Sequence, residues 1–112
     1  MEGYIQVFTT TEEKNDAERI AKALVEKRVA ACVQIIGPIT STYHWKGKLE
    51  TAQEWLCLIK TRRDLYDEVE GLIKEIHPYE TPEIIAVPFV AGSREYLEWL
   101  RNELKSKKNI VS

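Results

Sequence analysis

The 112-residue chain balances sixteen Lys and Arg against eighteen Asp and Glu, a formal charge of −2, with 44% hydrophobic and 30% charged residues. A chain of this length folds as one domain, here residues 1–112, burying roughly 65% of its unfolded surface around a single core. The composition excludes a disordered chain, and the charge balance offers no electrostatic footprint for nucleic acid or anionic lipid.

Tyr4 to Phe8 is β-branched and aromatic, ends in Thr9-Thr10-Thr11, and reads as a first strand. Asn15 with Glu18 fits a capping pair for a helix whose Ala17, Ile20, Ala21, Leu24 and Arg28 recur at helical spacing. From Ala30 to Trp45 the pattern turns to period two, with Val33, Ile35, Ile39, Tyr43 and Trp45 on one parity. Gly37-Pro38 marks a bulge or edge position in this long strand, because proline lacks the N–H a ladder needs. Lys46-Gly47-Lys48 supplies a turn, and Leu49 to Thr61 returns as the second arm of a hairpin. A second helix covers Asp64 to His77, with Leu65, Val69, Leu72, Ile73 and Ile76 as its apolar stripe, and Pro78 stops it. Glu83 to Val90 is a fourth strand, with Pro88 marking an edge position or a bulge. Ser93 caps a third helix whose Tyr96, Leu97, Leu100 and Leu104 face inward. Lys108 to Ser112 is a short extra strand or a frayed tail, and Lys105, Lys107 and Lys108 form a solvated turn.

The order is that of an α+β, ferredoxin-like split β-α-β sandwich with a long β2-β3 hairpin and an additional C-terminal helix. Helices cover one face of such a sheet. The stretch Trp55-Leu56-Cys57-Leu58-Ile59 is apolar on both parities, so its second face also needs a cover, and a partner subunit is the economical one. Oligomerisation, with Trp45 and Trp55 between subunits, is therefore expected. No segment reaches the ~20 apolar residues that span a bilayer. Charged residues from Glu12 to Arg19 break up any secretory signal, and two cysteines in such a chain point to free thiols in the cytosol.

The segments Ala30-Ala31-Cys32-Val33-Gln34-Ile35, Ser41-Thr42-Tyr43-His44-Trp45-Lys46-Gly47, His77-Pro78-Tyr79-Glu80-Thr81-Pro82-Glu83 and Tyr96-Leu97-Glu98-Trp99-Leu100 occur in order and together resemble the CutA divalent-cation tolerance family. The resemblance implies a cytoplasmic homotrimer, structurally similar to PII signalling proteins, with a role in tolerance of metals such as copper. Where this chain has Gln34, family members commonly have Asn. Some bacterial members look as if they bind copper through a Cys at the end of strand one and a His-His pair. The matching positions here are Thr9, Ile76 and His77, so His77 is the one candidate copper ligand retained.

His77 either bonds a terminal carbonyl of its helix or serves as a ligand with Tyr79 and Glu80 in a cleft between subunits. Glu54 and Lys60 lie on a strand that otherwise looks buried, so each is held in a structural ion pair or contacts a cleft ligand. His44 sits on the polar parity of its strand. A hairpin turning at Lys46 to Lys48 sets Cys32 opposite position 62 and Cys57 opposite position 37, about 16 Å apart along the strands and beyond disulfide reach. No Ser-His, Cys-His or HExxH pattern is present, and the five glycines form no phosphate-cradling loop, so an enzyme is not expected. The expected function is a trimeric protein of copper or divalent-metal tolerance binding a metal or small ligand. A PII-like small-molecule sensor acting through other protein partners is the alternative.

Overall fold

The computed structural model describes residues 3–106. Its elements are β1 (Tyr4–Thr11), α1 (Lys14–Glu26), β2 (Cys32–Trp45), β3 (Lys48–Arg62), α2 (Tyr66–Ile76), β4 (Ile85–Pro88) and α3 (Arg94–Glu103), with a 3-10 turn, Arg63–Leu65, leading into α2. The four strands form one antiparallel sheet in the order β2-β3-β1-β4. This is the expected α+β, ferredoxin-like arrangement. The tail call, Lys108 to Ser112, lies outside the described residues.

Alternation along β1 and β3 divides the sheet cleanly. Ile5, Val7, Cys57 and Ile59 point to one face and pack against Ala17, Ile20 and Leu24 of α1 and Val69 and Ile73 of α2. The opposite face carries an aligned row across all four strands: Gln34 pairs with Leu58, Leu58 with Phe8, and Phe8 with Ile85. Ile36 and Val87 widen this row and are 49% and 44% exposed, so the second apolar parity meets solvent in the single chain.

The Gly37-Pro38 signal is a bulge. Ile36 pairs with Leu56 and Ile39 with Glu54, so two residues of β2 oppose Trp55 alone. The extra residue reverses the parity beyond it. Val33 and Ile35 face the helices, whereas Ile39, Tyr43 and Trp45 face the open side, correcting their assignment to one parity. It also corrects the cysteine spacing: Cys32 lies opposite Lys60 and Cys57 opposite Ile35, a stagger of three residues or about 10 Å. Both thiols are free. Lys46 and Gly47, at φ of 52° and 80°, close the hairpin with the left-handed pair that matches strand twist.

Other local readings shift. The Asn15/Glu18 cap does not form: the helix starts after Glu13 with no side-chain cap, and the Thr11 hydroxyl donates to the Glu13 carbonyl instead. β4 shrinks to four residues because its ladder with β1 ends at Phe8, and the next carbonyl on that edge, Thr10, is taken by the His77 ring. Ser93 caps α3 as expected, accepting from the Tyr96 N–H at 3.2 Å. Leu97, Leu100 and Leu104 are buried, but Tyr96 is exposed beside Trp99, a turn away on the same face.

Cys57 is fully enclosed, and burial pushes its thiol from 9.0 up to about 11. A raised folded value means that the neutral thiol stabilises the fold fully below pH 9, and this contribution is lost as pH rises towards 11. The contribution is about 2–3 kcal/mol. Melting temperature should therefore fall across that alkaline window, less steeply in Cys57→Ala, and native Cys57 should react with a thiol reagent only as the chain opens. Rapid labelling of native Cys57 would refute its burial.

Candidate functional site

β1 stops at Thr11 while the β2-β3 hairpin runs on, leaving a ledge beside the end of the sheet. The loop after α2 folds back over that ledge, and between them opens a cleft of about 600 Å³. Ser41, Tyr43, Trp45, Ala52 and Glu54 line it from the hairpin, Thr10 and Glu12 from the end of β1, and Tyr79, Glu80, Thr81 and Glu83 from the loop. Four glutamates and no Lys or Arg line the cleft.

Glu54 is 5% exposed. A buried carboxylate must be partnered, and the Tyr79 hydroxyl donates to its Oε2 at 2.7 Å. Burial raises the Tyr79 phenol, and the hydrogen bond to Glu54 followed by the Glu54 charge raises it further, so Tyr79 keeps its proton and remains a donor.

His77 holds Tyr79 in place. Its Nδ1 accepts the Tyr79 backbone N–H at 3.1 Å, which puts the ring proton on Nε2, and Nε2 donates to the Thr10 carbonyl at 2.7 Å. The ring is buried, and its centroid lies 4.7 Å from that of Tyr79. The helix-ending backbone survives too, since the His77 N–H bonds the Ile73 carbonyl at 2.8 Å. Pro78 favours the extended conformation that His77 adopts, φ −67° and ψ 131°, which turns the chain from α2 into the loop.

Of the five residues expected at the site, Glu54, Tyr79 and Glu80 line the cleft and His77 lies behind it. Lys60 is elsewhere, six residues along β3 from Glu54, about 20 Å. Its ammonium donates to Gln34 Oε1 and Glu54 is met by Tyr79, so among the described residues neither charge forms the structural ion pair expected of it. Glu12, Tyr43, Trp45 and Glu83 are additional lining residues. Glu83 belongs to the HPYETPE block and Tyr43 and Trp45 to the SxYHW block, both visible in sequence; Glu12 joins them only through folding.

The three positions matched to a copper site do not assemble a ligand set in this chain. Thr9 Oγ1 is enclosed on the helix side without a hydrogen-bond partner, Ile76 has no donor atom, and both His77 nitrogens are engaged. Among the described residues no group of three or more His, Cys, Asp or Glu is placed to hold a metal ion.

Fold and cleft define a small α+β protein with a concave site lined by carboxylates and aromatic rings. The family model for the CutA1 divalent ion tolerance protein matches residues 5–103, and the chain belongs to this family. It is 46% identical to the divalent-cation tolerance protein CutA of Thermus thermophilus over 85% of this chain and 92% of that protein. Protein CutA of Homo sapiens is 42% identical over 94% of this chain, which spans 59% of the human protein's length. The crystal structure of CutA1 from Oryza sativa superposes with a TM-score of 0.91 at 39% identity, covering 95% of this chain and 97% of that one.

Proposed function

We propose that this protein is a cytoplasmic homotrimer contributing to divalent-cation tolerance, copper included, by drawing cations into the Glu54–Tyr79 cleft. The observation carrying this reading is the cleft lining of four carboxylates with no basic residue. Such a concave, single-sign surface raises the local cation concentration. Free thiols support the cytoplasmic assignment. The apolar open face supports assembly. With both His77 nitrogens engaged, a divalent ion would meet carboxylate oxygens first and keep much of its water.

Isothermal titration of Cu²⁺ into wild type, Glu54→Gln, His77→Ala and His44→Ala tests it. Glu54→Gln should weaken binding by about tenfold, the loss of one charged contact. His77→Ala should weaken it less, through displacement of Tyr79, and His44→Ala not at all. Full Cu²⁺ affinity in Glu54→Gln would remove the cleft from metal binding. A second reading, a PII-like small-molecule sensor working through protein partners, is favoured by the size of the cleft, which lies within the range of small-molecule sites.

A further inference from the structure

We propose that the cleft is shaped for an organic cation, a primary ammonium or guanidinium group carried on a flat apolar body, in preference to a bare metal ion. This rests on the cleft being the functional site and names its ligand class.

A dehydrated divalent cation needs several donors converging within about 2–2.6 Å. The carboxylates here do not converge: no group of three or more metal-binding side chains is found among the described residues, although four glutamates line one cleft. They are spread around a volume of about 600 Å³, far more than an ion fills and within the range of an organic ligand.

The walls between them are aromatic. Tyr43 and Trp45 rise from the hairpin and Tyr79 from the facing loop. Aromatic faces attract ammonium and guanidinium groups within about 6 Å of the ring centroid, and the rest of an organic ligand gains from burial against the same rings. Trp45 already makes such a contact in its own chain, with the Lys46 ammonium 5.6 Å from the ring centroid.

Glu54 supplies the anchor. It is 5% exposed, and Tyr79 engages only Oε2; among the described residues Oε1 accepts no hydrogen bond. Thr9 Oγ1 alone among the described residues is a buried side-chain polar atom without a partner, so Glu54 Oε1 opens to solvent in the cleft, where an N–H-bearing cation would replace water with a charge-assisted hydrogen bond. Because the Tyr79 bond fixes the carboxylate beforehand, little order is lost on binding. Glu12, Glu80 and Glu83 then act through long-range attraction.

The test is calorimetric titration of the protein with phenethylammonium, phenethylguanidinium, the neutral analogue 2-phenylethanol, and Zn²⁺ and Cu²⁺. Phenethylammonium or phenethylguanidinium should bind at least about tenfold more tightly than 2-phenylethanol, and Glu54→Gln should remove about tenfold of that affinity. Tyr43→Leu removes one aromatic wall of the cleft and should weaken the organic cations severalfold. Equal binding of the amine and the alcohol, or amine binding indifferent to both substitutions, overturns the proposal. If Cu²⁺ binding alone depends on Glu54 and the amines do not bind, the ligand class falls while the metal-binding cleft stands. If neither class binds, both readings fall.

Discussion

Light scattering at low micromolar concentration should return about 39 kDa, three times the 13.0 kDa of one chain. Ile36→Lys/Ile85→Lys should reduce that mass to a single chain. Ile36 on β2 and Ile85 on β4 lie on the open face, 49% and 54% exposed in the isolated subunit, at the two edges of the apolar row formed with Leu56, Leu58 and Phe8. Lysine at either position in a lone subunit points into water and alters stability by no more than about 0.5 kcal/mol. In an assembled apolar interface each ammonium would lose its water, which costs several kcal/mol unless a counter-charge meets it. The substitutions therefore separate assembly from folding. The wild-type melting temperature should rise with protein concentration, and that of the double variant should not. A wild-type mass of 13 kDa under these conditions would remove the trimer and leave the apolar face without its cover.

Gly37→Ala should cost about 1–3 kcal/mol of stability, the range for forcing extra volume into a packed site. A Cβ at Gly37 would stand 2.4 and 2.7 Å from Cε3 and Cδ2 of the Trp55 ring, far inside van der Waals contact. Those atoms belong to the body of the indole, so relief requires the whole ring to move. The ring is held, with the Lys14 ammonium 5.3 Å above it and the core beneath. Glu54 is its chain neighbour, so a displaced Trp55 should also weaken cation binding in the cleft. Gly71→Ala is the contrast. Nothing lies within 4 Å of its added Cβ, and alanine in the middle of α2 should stabilise by about 0.5–1 kcal/mol. Urea unfolding followed by tryptophan fluorescence measures both, and equal stability of Gly37→Ala and wild type would refute the close packing at the bulge.

Legibility varied with the range of the interactions involved. Core positions such as Ile20, Leu24, Val69 and Ile73 were readable because amphipathic spacing expresses burial directly. The Ser93 cap was readable because it depends on residues three apart, whereas Asn15 failed because the Thr11 hydroxyl, one turn earlier, fixes the start of α1 through the Glu13 carbonyl. For the site, the HPYETPE block marked Tyr79 and Glu80, while the roles of His77 and Lys60 depended on partners 67 and 26 residues away in the chain.

The sequence by itself determined the order of strands and helices, the two proline positions, Pro38 and Pro88, where a strand must be an edge or a bulge, and the presence of a sheet apolar on both faces. Each of these follows from local periodicity or from the backbone limits of glycine and proline. Only the tertiary structure decided what the bulge does: one extra residue turned Tyr43 and Trp45 to the open side and into the cleft. It likewise decided that His77 orients Tyr79 through bonds at both ring nitrogens, and that Glu54 meets a phenol, Tyr79, rather than a cation. These outcomes depend on strand register and on the path of one loop across the end of β1, and a shift of one residue in either would reassign every partner.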